Sequence, residues 1–219
     1  MCNLYDIGRA LRHRSRDDWE EALSRALKDS RKAFGIRKTD PGLVLILPRE
    51  NASIQVETMR WGFARDFNPA INNARSDKLG GMWSNAWEHR QRCLIPLATF
   101  YEWTGPPGSK QTYAFEPDPG VNLLWAAGLW EPAPSSSSFT MPTFSMLTTA
   151  AKGVIAPVHD RMPVLLQPQD FDEFLSAPDP GHLLDRENVS VTHFRCENPL
   201  KQNSRHEGAV RQTMLPGFD

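Results

Sequence analysis

The stretch Arg92-Cys93-Leu94-Ile95-Pro96-Leu97-Ala98-Thr99-Phe100-Tyr101-Glu102-Trp103-Thr104-Gly105-Pro106-Pro107-Gly108-Ser109-Lys110-Gln111-Thr112-Tyr113-Ala114-Phe115 decides the fold. Residues 93–97 and 99–103 are apolar and aromatic runs of strand length. Pro96 suggests an edge or a bend. The Gly/Pro cluster at 104–108 is a tight loop and residues 111–115 return, so the segment predicts a hairpin. Working outward, strands are predicted at residues 43–47, 54–59 (running into Trp61-Gly62-Phe63), 123–130, 139–148, 162–166 and 189–194. Helices are predicted at 17–34, where Ser15 and Asp18 resemble a capping box and Trp19, Leu23, Ala26 and Leu27 share a face, and at 82–90, with shorter ones at 150–155 and 168–175. Pro41-Gly42 reads as a turn, Asn68-Pro69 as a break, residues 72–76 as a loop or strand end, and 134–138 as a flexible surface turn. Many short strands with few helices predict an α+β fold: a single domain over residues 2–200, one curved or barrel-like antiparallel sheet with a few flanking helices, and a loosely held tail at 201–219.

Composition narrows the function classes. The 219 residues suit one domain with a sizeable core, and 40% hydrophobic against 23% charged is an ordinary globular balance. No apolar run approaches a membrane span, and the start MCNLYDIGRALRHR has neither a signal-peptide core nor a glycine for myristoylation, so the expectation is a cytoplasmic protein. Cys2, Cys93 and Cys196 form an odd set without a CxxC pair, which argues against a disulfide framework. His89 with Cys93, and His193 with Cys196, have spacings that a Cys2His2 zinc site can use, but such pairs arise easily by chance; no metal is expected. Net charge is −1, yet residues 1–100 hold 17 Lys and Arg against 12 Asp and Glu, and residues 101–219 hold 8 against 14. The basic half offers a phosphate-binding face; solvated surface charge would look the same.

The second residue is a cysteine. Loss of Met1 would give Cys2 a thiol and a free α-amine, both partly reactive at neutral pH. Such a 1,2-aminothiol condenses with an aldehyde and closes a thiazolidine ring. Glu102 lies among aromatics, where burial would make it an acid or base near neutrality; at a solvated strand end it would stay an ordinary carboxylate. His159-Asp160-Arg161 falls on irregular backbone between Pro157 and Pro163, suited to proton transfer and phosphate binding, or to a local ion pair. Asn73 can orient a reacting group and Arg75 can meet phosphate. Trp61 and Trp103 can stack bases or pack in the core.

Taken together and in order, Met1-Cys2, Trp61-Gly62, Asn73-Ala74-Arg75, Arg92–Pro96, Phe100-Tyr101-Glu102-Trp103, Ala127-Gly128-Leu129-Trp130, Leu147-Thr148-Thr149 and His159-Asp160-Arg161-Met162-Pro163 resemble the SRAP family, the SOS-response-associated peptidases, also called abasic-site processing proteins. The resemblance runs from Cys2 to about Leu166. It implies a protein that loses Met1 by a proteolytic step confined to freeing Cys2, then forms a thiazolidine crosslink with the ring-opened sugar of an abasic site in single-stranded DNA. That crosslink shields the lesion in the DNA-damage response, with lyase chemistry as a side activity. By motif position it implies Cys2, Asn73, Glu102 and His159 as catalytic residues. Arg75 and Arg161 would hold phosphates, and Trp61, Trp103 and Thr149 would line the DNA channel. No cofactor, no membrane and a monomer are expected, nucleoid-associated in a bacterium. Where the family reads Cys-Gly-Arg, this chain reads Cys2-Asn3-Leu4, so Arg9 or Arg12 would have to supply the missing phosphate contact. The competing readings are an N-terminal-nucleophile amide hydrolase acting through Cys2, and a non-catalytic single-strand binder.

Overall fold

The computed structural model describes residues 2–8, 11, 18–30, 32–48, 52–133, 140–186 and 189–201. Among them fifteen strands occur: β1 Leu4–Asp6, β2 Ile36–Arg37, β3 Pro41–Ile46, β4 Gln55–Trp61, β5 Phe63–Arg65, β6 Asn68–Ile71, β7 Asn73–Arg75, β8 Arg92–Leu97, β9 Thr99–Thr104, β10 Gln111–Pro117, β11 Leu124–Glu131, β12 Thr143–Ala150, β13 Arg161–Pro163, β14 Leu165–Leu166 and β15 Val191–Cys196. Three α-helices flank them: α1 Asp18–Asp29, α2 Ser84–Glu88 and α3 Phe171–Ser176. Strands β4, β3, β8, β11 and β12 are joined pairwise, and β12 closes back onto β4, so this sheet curls into a ring. The second sheet runs β15-β10-β9-β1-β2, with β9 and β10 forming the expected hairpin. The barrel-like α+β fold read from the sequence is therefore the observed one.

Closure explains the burial. Every residue of β8 is buried, because one face lines the ring and the other is covered. Pro96 fits there because β3 pairs with β8 only at Leu94 and Cys93, leaving Pro96 past the end of that ladder. Helix α1 lays Leu23 and Leu27 into the core, each worth about 1.5–3 kcal/mol, and sets Trp19 edge-on to Trp125.

Several local expectations are corrected. Pro41-Gly42 opens β3 rather than turning, since a proline at a strand's first residue costs no ladder bond. The helix expected at 17–34 ends at Asp29, and the one at 82–90 is a 3-10 turn, Gly81–Trp83, followed by the short α2. Within it Met82 is exposed, whereas Trp83 and Ala86 are buried as expected. The helix at 150–155 shrinks to the 3-10 turn Gly153–Ile155. The sheets are not purely antiparallel: β12 runs parallel to both β4 and β7. The capping box at Ser15, the turn at 134–138 and the tail beyond 201 lie outside the described residues.

The parallel pairings build the site. One edge of β12 is occupied first by Arg60 and Trp61 of β4, then by Asn73, Ala74 and Arg75 of β7. Between them the chain leaves the edge, makes the β5–β6 hairpin and returns. So Asn68-Pro69 is part of β6, not a break, and the Asn73 segment is a strand locked in register. Gly62 begins the detour with φ at +118°, where an added Cβ would lie 3.0 Å from Ala70. Its N–H donates to Phe144 O (2.7 Å), and Met146 N–H donates to Asn72 O (3.0 Å) on the way back.

Candidate active site

Cys2 immediately precedes β1, and its side chain is fully buried. Its thiol donates to Leu4 O at 3.5 Å. Two amides hold its carbonyl: Asn73 Nδ2 donates to Cys2 O at 2.8 Å and Asn72 Nδ2 at 3.1 Å. Asn72 also donates to Asn3 Oδ1 at 3.1 Å, so the unusual Asn3 takes part in the site's framework. Leu4 turns to a small cluster with Tyr101 and Ala114 on the other side of the second sheet. Asn73 Oδ1 is buried without a hydrogen-bond partner among the described residues.

Glu102 enters from β9. Strand alternation puts it on the same face as Phe100, toward the core, and it is 1% exposed. Burial, aided by the charge of Asp160, pushes its carboxyl up from 4.5 to about 7. It was therefore the buried alternative that the sequence held for this residue. Burial and then the charge of Glu102 push the Cys2 thiol well up, which also places the two side chains in electrostatic reach.

His159 completes the cluster, with Nε2 at 3.9 Å from Glu102 Oε2. Arg161 N–H donates to Nδ1 at 3.0 Å, while Asp160 Oδ1 stands 2.8 Å from the same nitrogen. These two contacts favour different protonation states. Burial lowers the ring's pKa, so at neutral pH the neutral ring prevails, accepting at Nδ1 and carrying its proton on Nε2 toward Glu102. The local ion pair with Asp160 forms when the ring is protonated.

The structure thus brings Cys2, Asn73, Glu102 and His159 to the seam where the two sheets meet. Arg75 and Arg161 lie beside it on adjoining strands, paired through β12: Arg75 opposite Thr148, and Arg161 opposite Ala150. The remaining expectations fare differently. Trp61 has no exposed surface and offers no face to a base; it packs edge-on to Tyr5 (4.9 Å) and donates from Nε1 to Asn72 O (2.8 Å). That bond ties it to the backbone of the asparagine pair. Trp103 packs with Leu4 and Tyr101, on the opposite face of β9 from Glu102. Thr149 is buried, and its hydroxyl donates to Asp185 at 3.3 Å. Arg9 and Arg12 lie outside the described residues. Cys93 is in the ring's core and Cys196 on β15 of the other sheet, so the two His/Cys pairs do not converge; among the described residues no group of three His, Cys, Asp or Glu could hold a metal. Asn72 was missed: adjacent identical asparagines gave no signal that both side chains reach one carbonyl.

A curled β-ring with a buried second-position cysteine, its carbonyl held by paired amides and a glutamate–histidine pair in the same region, defines the class of protein. The chain belongs to the SOS response associated peptidase family, whose profile matches residues 1–196. It is 26% identical over 156 residues to the abasic site processing protein YoqW of Bacillus subtilis, covering 64% of this chain and 66% of that one, just under two thirds. Similarity to YedK of Escherichia coli, another abasic site processing protein, is 24% over 177 residues, 77% of this chain and 78% of the relative. A crystal structure of a Bordetella bronchiseptica protein shares the fold, with TM-score 0.69 and 20% identity over 90% of this chain and all of that one. No helix among the described residues is long and apolar enough to cross a membrane.

Proposed function

We propose that this protein captures abasic sites in single-stranded DNA by forming a thiazolidine with Cys2 after Met1 is removed. The observation that carries this reading is the convergence of buried Cys2, Asn73 and Glu102 with half-buried His159. The closed abasic sugar must open before it reacts, and Glu102, protonated or not near neutrality, can move that proton, with His159 Nε2 beside it. The freed α-amine then attacks the aldehyde carbon, and loss of water gives an imine. Asn73 Oδ1, a buried acceptor without a partner, suits an amine N–H. The thiol adds to the imine carbon, its proton passing to the nitrogen, and the ring closes with one water released overall. Ring closure outruns strand-breaking β-elimination because the thiol is on the same residue as the imine.

The raised thiol pKa supports this order of steps. A thiol buried beside a carboxylate is a poor first nucleophile, which weighs against direct attack on an amide carbonyl. Arg75 and Arg161 are read as phosphate ligands, and release of Met1 as one slow self-processing event at the same site rather than amide turnover. The test is incubation of the protein with single-stranded DNA carrying one abasic site, read as a denaturation-resistant band, alongside the intact protein mass. A band with wild type that disappears in Cys2→Ala, on protein lacking Met1, is the expected result. No band with processed wild type, or an equal band from Cys2→Ala, rules the reading out.

A further inference from the structure

Arg75 and Arg161 converge on one carboxylate. Arg75 donates from Nε to Asp77 Oδ1 (3.1 Å) and from Nη2 to Oδ2 (2.6 Å), a two-point grip on one edge of its guanidinium. Arg161 Nη2 reaches the same Oδ1 at 3.3 Å and also donates to Thr148 O. Asp77 itself is half-exposed, at the start of a 3-10 turn directly after β7. Its ionised form is strongly favoured: the hydrogen bond from Arg75 holds its carboxyl at about 2.

The Nε/Nη2 edge of Arg75 is the edge that takes a phosphate in a two-point grip, and Asp77 already occupies it. Arg161 is nearly buried, tied to the backbone at Thr148, and its Nε has no partner among the described residues. Arg75, Arg161 and Asp77 together carry +1, with exposed Asp160 the further acid whose charge reaches Arg75. Of those three, Asp77 alone is acidic and half in solvent, so it can swing away without breaking a buried contact.

We propose that Asp77 is an internal stand-in for a DNA phosphate, holding the two arginines in the free protein and giving them up when the strand binds. This rests on the reading of Arg75 and Arg161 as phosphate ligands. The residue then sets affinity and salt dependence: each binding event exchanges one carboxylate for one phosphate, and non-specific nucleic acid is held back by the cost of that exchange.

The test is equilibrium binding of single-stranded DNA bearing a stable tetrahydrofuran abasic analogue, which cannot crosslink, to Asp77→Asn, Arg75→Ala, Arg161→Ala and wild type over a salt series. Asp77→Asn is expected to bind about three- to fivefold more tightly at low salt, consistent with an exposed ion pair. The slope of log affinity against log salt should steepen by roughly 0.7, and Arg75→Ala should bind more weakly with a slope shallower by a similar amount. Asp77→Ser serves as a second variant, and unchanged thermal unfolding of both shows that the fold is intact. If both Asp77 variants bind equally or more weakly while the arginine variants lose affinity, Asp77 organises the arginines and the proposal is overturned, with the phosphate reading left standing. If the arginine variants bind as wild type does, the phosphate reading itself fails.

Discussion

Burial that makes Glu102 useful also makes it costly. Its carboxyl sits at about 7 in the folded chain against an ordinary 4.5, raised by burial first and then by Asp160. A raised folded pKa means that this residue's contribution to stability is fully present below about 4.5 and is lost as pH rises through 7. Glu102→Gln keeps the shape and removes the titration. It should unfold later than wild type at pH 8, by about 3 kcal/mol, and show no such gain at pH 4. The same change should slow crosslinking at least about a hundredfold, because the proton relay is gone. Thermal unfolding at the two pH values and single-turnover crosslinking check both halves; equal stability at pH 8 would mean that the carboxylate is not held in a dry site. The sequence presented Glu102 as either buried or solvated. Phe100 and Trp103 could not choose between these, because the groups Glu102 meets in the fold, Cys2 and His159, lie far away along the chain.

At the level of elements, the strands around residues 92–131 were legible because apolar runs, turns and strand length agree there. Gly128 in β11 shows what a motif glycine does within them. An added Cβ would lie 2.8 Å from Cys93 Sγ, 2.9 Å from Ile95 Cδ1 and 3.0 Å from Ser145 O. Two of those neighbours are side chains that can shift, but the carbonyl belongs to β12 and cannot move without opening the ring. Gly128→Ala should therefore cost about 1–3 kcal/mol in urea unfolding, and adding Cys93→Ala should recover only part of it. Full recovery would show that the carbonyl contact is soft and the ring less rigid than its pairing suggests. What stayed illegible were the elements defined by distant partners. Asn73-Ala74-Arg75 looks like a loop end because its strand character comes from β12, more than seventy residues on. Pro41-Gly42 carries the composition of a turn and becomes a strand because β4 pairs with it.

On the scale of the whole molecule, the site belongs to neither sheet. The five-stranded sheet brings Glu102 and, through β1, Cys2; the ring brings Asn73, Arg75 and Arg161 along the two edges of β12. The residues of the site were legible through ordered motifs, since each short match fixed a residue type at a position. Their mutual geometry was not, and so Trp61 stayed open between a base-stacking platform and a core residue until its indole N–H was seen to reach Asn72 O from within the core. A tryptophan next to a glycine reads alike in both settings; only ring closure decides between them.

Because β1 lies at the start of the chain, its fate is tied to time. A ribosome makes Cys2 first and His159 last among the four central residues. At about 5–20 residues per second that interval is roughly 8 to 30 s. On the proposed self-processing, the α-amine of Cys2 is freed only after Cys2, Asn73, Glu102 and His159 have met, so the growing chain never carries a bare 1,2-aminothiol. Protein translated in the presence of formaldehyde should then carry no more Cys2 thiazolidine adduct by intact mass than folded protein given the same dose; heavier labelling during synthesis would mean that Met1 leaves before the site assembles.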